Sequence, residues 1–265
     1  MDIQAITAPM RMTISAELDK LEAEHNIKIL YAVESGSRAW GFASTNSDWD
    51  VRFIYVHPRD WYLQIDDKKD NLEEILPNDV DLSGWELRKA LKLFRTSNPP
   101  LLEWLRSPIV YREPWSTAER LREPTKQYFS PAKCLYHYLH MAEGNYRNYL
   151  QTDMVRVKKY FYVLRPILAC EWILKNNTPP PVEFQVLFDN HVEEPVIRKE
   201  IDQLLVRKKS GEELSTEPRI TLLNDFLEEK ISFFRDYVKS LHPVRSLETE
   251  ILNDLFRQTI TEVYS

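Results

Sequence analysis

The stretch GSRAWGFASTNSDWDVRF (residues 36–53) carries the strongest fold signal in this sequence. It follows the β-rich run IKILYAV (27–33) and contains a Gly-Ser turn, then Asp48 and Asp50 at the start of a second β-rich run. Side chains two residues apart on a strand share a face, so both carboxylates are expected on one side and Trp49 on the other. The pattern predicts two neighbouring strands, the second opening with a pair of acidic groups.

The flanking sequence predicts further helices and strands of the same small unit. A helix is expected over residues 13–26, with Ser15 as its N-cap. The runs NLEEIL and DVDL, on either side of Pro77, indicate a hairpin. Another helix is expected to begin near Ser83, where WELRKALKLFRTS has helical spacing.

The remainder of the chain has a helical pattern. From Pro114 onward, prolines such as Pro124, Pro131, Pro195, Pro218 and Pro243 fall between the helical stretches rather than inside them. We therefore predict the fold class α+β, with a short mixed sheet flanked by helices in residues 1–111 and an all-helical domain in residues 112–265.

Charge is distributed unevenly along the 265 residues. Lys and Arg number 35 against 41 Asp and Glu, for a net charge of −6, which excludes a uniformly basic protein that coats nucleic acid. The net charge is −5 over residues 1–111, +5 over 112–175 and −6 over 176–265. A patch of one sign steers an oppositely charged ligand, so the middle segment is where a polyanion is expected to bind.

Several residue types indicate structure rather than chemistry. Cys134 and Cys170 lack the paired spacing of a metal or redox site, so both are predicted to be free thiols. His137 and His140 lack further nearby ligands and are expected to be structural. No apolar run approaches the roughly 20 residues of a membrane span, and no signal peptide is recognisable. We predict a cytoplasmic location without a membrane partner.

The paired carboxylates and the adjacent Gly-Ser turn are suited to bind a metal ion and a phosphate group next to each other. Mg²⁺ takes oxygen ligands and commonly bridges a carboxylate to substrate phosphates, a role open to Asp48 and Asp50. Gly36 lets the backbone approach a ligand closely, and Ser37 adds a hydroxyl and an amide donor for phosphate oxygens.

A site that binds metal ions and phosphate groups also needs a third carboxylate and positively charged side chains. Asp81, on the predicted neighbouring strand, is the candidate for a second metal or for proton removal from a hydroxyl, with Asp79 as its rival. Arg38 lies inside the turn motif, where it would neutralise phosphate charge. Arg52 continues the aspartate face, where it would either bind substrate or pair with the carboxylates.

A later helix, predicted over residues 154–174, adds further candidates. Helical projection places Lys158, Tyr162 and Arg165 together beside an apolar stripe. Two cations and a phenol suit a triphosphate or an RNA backbone. From periodicity alone, a solvated flank of an amphipathic helix is the favoured interpretation.

These motifs resemble the DNA polymerase β-like nucleotidyltransferase superfamily, and more narrowly its RlaP-like members associated with RNA repair. The resemblance covers most of residues 30–175. It is carried by GSRAWGFAS (36–44), SDWDVRFIYV (47–56), DLSGWELRKALKLF (81–94), NPPLLEWLRSPIVY (98–111) and KKYFYVLRPILA (158–169).

The resemblance implies a minimal nucleotidyltransferase fold with an appended helical domain that closes one side of a cleft. It also implies Mg²⁺-dependent chemistry with two ions, Mn²⁺ being an alternative metal. Gly36 and Ser37 would hold the triphosphate, the two aspartates of the pair the metals, and Asp81 a metal or the acceptor hydroxyl. The resemblance also favours a functional role for Lys158 and Arg165.

The function expected from the sequence is transfer of a nucleoside monophosphate from a nucleoside triphosphate to a hydroxyl, with an RNA end as the favoured acceptor. Two alternatives stay open: transfer to a small molecule or protein side chain, and a non-catalytic nucleotide- or RNA-binding module. The sequence leaves the oligomeric state open.

Overall fold

Two apolar strands form the centre of the first part of the chain. Lys28–Glu34 (β1) and Trp49–Val56 (β2) pair antiparallel, and every residue of β1 after Lys28 is buried. Strands covered on both faces have such nearly continuous apolar runs. In this computed structural model, which describes residues 6–212, 214–241 and 248–265, both strands lie within a five-stranded sheet.

The sheet combines parallel and antiparallel pairs. Its other strands are β3 (Asn71–Ile75), β4 (Val80–Glu86) and β5 (Val110–Arg112), and the order is β3-β4-β2-β1-β5. Strand β2 runs parallel to β4, whereas the other neighbours are antiparallel. Two short strands, β6 (Met154–Arg156) and β7 (Thr216–Pro218), pair separately as an antiparallel ribbon.

Helices make up most of the remaining described structure. A 3₁₀ helix covers Arg59–Leu63. The α-helices are α1 (Ala8–His25), α2 (Gly36–Ala39), α3 (Leu87–Arg95), α4 (Pro99–Trp104), α5 (Thr117–Arg122), α6 (Thr125–Tyr128), α7 (Pro131–Tyr149), α8 (Lys159–Asn176), α9 (Phe184–His191), α10 (Pro195–Lys209), α11 (Thr221–Lys239) and α12 (Glu250–Tyr264). Within the described ranges, no helix is long and apolar enough to cross a membrane.

The mixed sheet flanked by helices confirms the predicted fold class, α+β. Helix α1 buries Ile14, Leu18 and Leu21 in the same apolar cluster as Phe53 of β2 and Leu82 of β4. These aliphatic and aromatic side chains lose their contact with water, which is the main favourable contribution to folding. The hairpin around Pro77 is also confirmed, as β3 and β4.

Several element boundaries differ from those predicted. Helix α1 begins at Ala8 and is capped by the Thr7 hydroxyl, so Ser15 lies inside the helix. Ser83 belongs to β4, because alternate residues of this strand are buried as far as Glu86. The Glu86 carboxylate then caps α3 by accepting N–H bonds from its first turn.

The chain divides into two compact units. The first, here called the sheet unit, comprises Met1–Ala39, Ser47–Tyr128 and Ser246–Ser265. The second, the helical unit, comprises Trp40–Asn46 and Phe129–Arg245. This division differs from the predicted limit between residues 111 and 112, and the ribbon of β6 and β7 means that the second unit is not all helical.

The C-terminal helix α12 explains much of this difference, because it packs inside the sheet unit. The Ser116 hydroxyl donates to Glu262 at 2.7 Å, and the Tyr264 hydroxyl donates to the carbonyl of Val56 at 2.9 Å. These partners are 146 and 208 residues apart in the chain, so local sequence does not reveal the pairing.

Candidate functional site

The Gly-Ser turn packs directly against Asp50 in the sheet unit. Gly36 begins helix α2 with φ +59°, a left-handed conformation that favours glycine. A Cβ at this position would lie 2.0 Å from Oδ2 of Asp50, which is far inside van der Waals contact. The N–H of Ser35 also donates to the carbonyl of Asp50 at 2.8 Å. The glycine is therefore required by both the backbone conformation and the adjacent carboxylate.

Asp50 and Asp81 are direct neighbours on the parallel strands β2 and β4. One nitrogen of Arg52, Nη2, lies 3.0 Å from Oδ1 of Asp50 and 2.8 Å from Oδ2 of Asp81. Burial raises the pKa of Asp50; Arg52 opposes this shift, and the negative charges of Asp81 and Asp48 add to it. The structure therefore brings Asp50 and Asp81 together and places Arg52 between them.

The strand register distinguishes Asp81 from its rival. Asp79 lies in the turn before β4 with φ +60°, and its carbonyl accepts the N–H of Trp49 at 2.8 Å. Asp48 is exposed and immediately precedes β2. Strand β4 begins at Val80, which is paired with Trp49, so the next residue, Asp81, lies beside Asp50. Asp79 precedes the strand and therefore does not occupy this position.

A buried glutamate behind the site is a residue that the sequence interpretation missed. Glu34, at the end of β1, is fully buried; its Oε1 accepts the N–H of Asp50 at 2.9 Å and its Oε2 accepts the Tyr111 hydroxyl at 2.5 Å. Burial raises the pKa of Glu34 to about 7. An acidic residue at the end of an apolar run, just before the Gly-Ser turn, was the available signal.

Arg38 contacts the protein's own backbone in this structure. Its guanidinium donates to the carbonyls of Ser47 at 2.8 Å and Asp48 at 3.3 Å, and it covers the Trp49 ring at 3.5 Å from the centroid. The residue is only 4% exposed. Arg38 thus supports the segment that leads into β2, and a phosphate contact would require it to leave these carbonyls. Ser37, beside it, is half-buried.

In the helical unit, the residues predicted on one helix face have different surroundings. The helix expected from residue 154 begins only at Lys159, because 154–156 form β6. Lys158 is exposed and Tyr162 is 41% exposed. Arg165 is buried, donates to the carbonyl of Val182 at 3.2 Å and lies 4.6 Å from the Trp40 ring centroid. These three residues therefore do not form one exposed cationic face.

The donor set of the sheet unit suits Mg²⁺. Across residues 6–212, 214–241 and 248–265, no group of three or more His, Cys, Asp or Glu side chains is placed to hold a metal ion by itself. Mg²⁺, however, typically binds one or two carboxylates together with substrate phosphates and water. Asp50 and Asp81 point their oxygens at one shared cation, the Arg52 guanidinium, so two hard donors already converge there.

Comparison with known proteins gives a family-level match over nearly the whole chain. The family model RlaP, described as "RNA repair pathway DNA polymerase beta family", matches residues 10–258. A protein of Bacillus subtilis (strain 168), named "Uncharacterized protein YcgL", is 49% identical over 255 residues, covering 96% of this chain and 98% of that protein.

A solved structure also shows a distant likeness. It is the crystal structure of a nucleotidyltransferase-like protein from Exiguobacterium sibiricum 255-15, which is 15% identical. The match covers 94% of this chain and 80% of the other, with a TM-score of 0.34. That score is too low for the likeness to support a conclusion about function.

Proposed function

This chain belongs to the RNA repair pathway DNA polymerase beta family, and on that premise we propose that it is a nucleotidyltransferase. It moves a nucleoside monophosphate from a nucleoside triphosphate to a hydroxyl, with an RNA end as the acceptor. The observation that carries the proposal is the alignment of Asp50 with Asp81 on parallel strands, with the Gly36 turn packed against Asp50.

In this reaction, the oxygen of the acceptor hydroxyl attacks the α-phosphorus of the nucleotide. The bond from that phosphorus to the oxygen bridging the α- and β-phosphates breaks, and pyrophosphate leaves. Asp81 accepts the hydroxyl proton, since a carboxylate at hydrogen-bond distance acts as a general base. The turn at Gly36 and Ser37 binds phosphate oxygens through the Ser37 hydroxyl and backbone N–H, which are hydrogen-bond donors.

Asp50 and Asp81 are the residues that would hold Mg²⁺, or Mn²⁺ in its place, and the exposed Asp48 just before β2 is the third candidate ligand. The metal would supply positive charge that neutralises the phosphates and the departing pyrophosphate. In the protein alone, Arg52 neutralises part of the negative charge of Asp50 and Asp81, because it pairs with both. A divalent cation held by these carboxylates would compete with Arg52 for their oxygens.

The RNA acceptor is supported by charge and by the family description. Residues 112–175 have a net charge of +5 in a chain whose overall charge is −6. The overall negative charge favours a second candidate, transfer to a small molecule or a protein side chain. RNA affinity should fall steeply with rising salt if phosphates are neutralised by the protein, whereas small-molecule transfer should lack that slope.

The test is transfer of label from each α-³²P-labelled nucleoside triphosphate, with Mg²⁺, to RNA ends, total RNA and the protein itself. Asp50→Asn and Asp81→Asn should abolish transfer. Asp79→Asn is the matched control, because asparagine tolerates the positive φ of this turn and the residue lies outside the strand pair. Near-normal transfer by the Asp50 variant would refute the proposal, and label on a non-RNA acceptor would favour the second candidate.

A further inference from the structure

A polar cavity of about 510 Å³ is lined by residues of the helical unit. It is bounded by the segment before Ser47, the ribbon of β6 and β7, and the end of α10. Three cations and several neutral hydrogen-bonding groups line it, among them Arg156, Lys158, Lys208, Ser44, Asn46 and Thr216.

The cavity is built from segments that contact one another closely. Lys208 donates from Nζ to Oγ of Ser44 at 3.3 Å, and Ser44 is 3% exposed. Gly211 has φ +82°, and a Cβ there would lie 3.3 Å from Oγ1 of Thr45, so the chain after α10 approaches the 44–46 segment tightly. On the opposite wall, Arg156 pairs with Thr216 across the ribbon.

The electrostatic balance of this cavity is positive. Among its described lining residues, Glu212 is the one acidic side chain, and its Oε1 already accepts two hydrogen bonds from Arg207. Glu213, next in the chain, lies outside the described residues. Burial lowers the pKa of the neighbouring Lys159, and the positive charges of Lys158 and Arg156 lower it further. The described side chains that line the cavity therefore carry more positive than negative charge.

We propose that this cavity is a phosphate-binding site, with Arg156, Lys158 and Lys208 as its cationic contacts. Arginine binds phosphate oxygens in a bidentate manner, and lysine contributes a compact point charge. Hydroxyl and amide groups of the lining residues complete the hydrogen bonding to a group that has several acceptor oxygens. The ligand chemistry is a phosphate chain, which either the polyphosphate of a nucleotide or the phosphodiester backbone of RNA can supply.

This inference does not depend on transfer activity. The cavity contains none of the residues Asp48, Asp50 and Asp81, and its cations need no divalent metal to bind phosphate. Lys158 is the predicted nucleotide contact that lies here, whereas Arg156 and Lys208 were not anticipated from the sequence.

The experiment measures binding of tripolyphosphate and of a short single-stranded RNA to the full-length protein, by calorimetry and fluorescence anisotropy, with EDTA present. The Arg156→Gln/Lys208→Gln double variant should bind the phosphate ligand at least about tenfold more weakly. Lys209→Gln is the matched control, because it removes one charge from the next residue of the same helix outside the cavity lining and should stay within about twofold of wild type. Circular dichroism and thermal melts establish that all variants are folded.

The two ligands distinguish the possible sources of the bound phosphate. Loss confined to tripolyphosphate supports the site with a nucleotide as its source, and loss confined to RNA supports it with a phosphodiester source. Wild-type affinity of the folded double variant for both ligands would overturn the proposal, as would failure of the wild-type protein to bind either one. If the wild-type protein binds phosphate at this cavity but transfers no label, the proposed function is refuted and the proposal of a phosphate-binding site stands.

Discussion

Replacing Gly36 by alanine should damage both stability and the candidate site. The new Cβ would lie 2.0 Å from Oδ2, 2.8 Å from Cγ and 3.3 Å from Cβ of Asp50. Holding a non-glycine residue at positive φ costs about 1–2 kcal/mol, and overpacking costs about 1–3 kcal/mol. The expected loss in free energy of unfolding is therefore about 2–5 kcal/mol.

The two contributions can be separated by urea unfolding of a double-mutant cycle. In an Asp50→Ala background, the Oδ2 and Cγ contacts no longer exist, so the cost of Gly36→Ala should fall towards the conformational part of about 1–2 kcal/mol. Gly144→Ala is the matched control: no atom lies within 4 Å of its Cβ position inside α7. This control should stabilise the protein by about 0.5–1 kcal/mol, because alanine has the higher helix propensity.

The reasoning would be refuted by an equal cost of Gly36→Ala in the presence and absence of the Asp50 carboxylate. In that case, steric contact between the turn and the carboxylate would not explain the need for glycine. A cost below about 0.5 kcal/mol in the otherwise unchanged protein would contradict the positive-φ component as well.

Three further changes test other parts of the sheet unit. Glu34→Ala should cost about 1–3 kcal/mol for each of the two buried donors that it leaves unpaired, the N–H of Asp50 and the Tyr111 hydroxyl. Urea unfolding checks this prediction, and a loss below about 0.5 kcal/mol would contradict it. Burial lowers the pKa of His57 to about 4, so the unfolded chain binds more protons between pH 6.5 and 4, and stability is lost as the pH falls through that window. The loss should be about 2 kcal/mol at pH 5 relative to pH 7, and a His57→Gln variant with an unchanged pH dependence of unfolding would rule it out. Arg38→Lys should lower the unfolding free energy by about 1–3 kcal/mol, because lysine cannot hold two carbonyls and cover an indole at once; an unchanged melting temperature would argue against this role.

Patterns within short segments predicted the central part of the fold. The β-rich runs that became β1 and β2 were recognised because strand periodicity is visible in consecutive residues. Pairing of Arg52 with the aspartates was one of two anticipated roles, since alternate residues of a strand share a face.

Other features depended on which side chains are buried by tertiary contacts, and projection of a single helix or strand does not give that information. Helical projection gives the direction in which a side chain leaves its own helix. It does not reveal which other segments of the protein pack over that face. Arg165 is therefore buried near Trp40 instead of lining an exposed face, and Arg38 is covered together with Trp49. The alternative between Asp79 and Asp81 likewise stayed open until the register of β2 and β4 was known.

The local pattern of this chain thus predicted strands β1 to β4, the acidic pair and the Gly-Ser turn. Tertiary structure alone determined which third carboxylate lies beside Asp50, that Glu34 holds the Asp50 backbone, and that helix α12 joins the sheet unit. The physical reason is the range of the interactions: periodicity and turn chemistry act between near neighbours in sequence, whereas register, desolvation and helix docking depend on contacts between residues far apart in the chain.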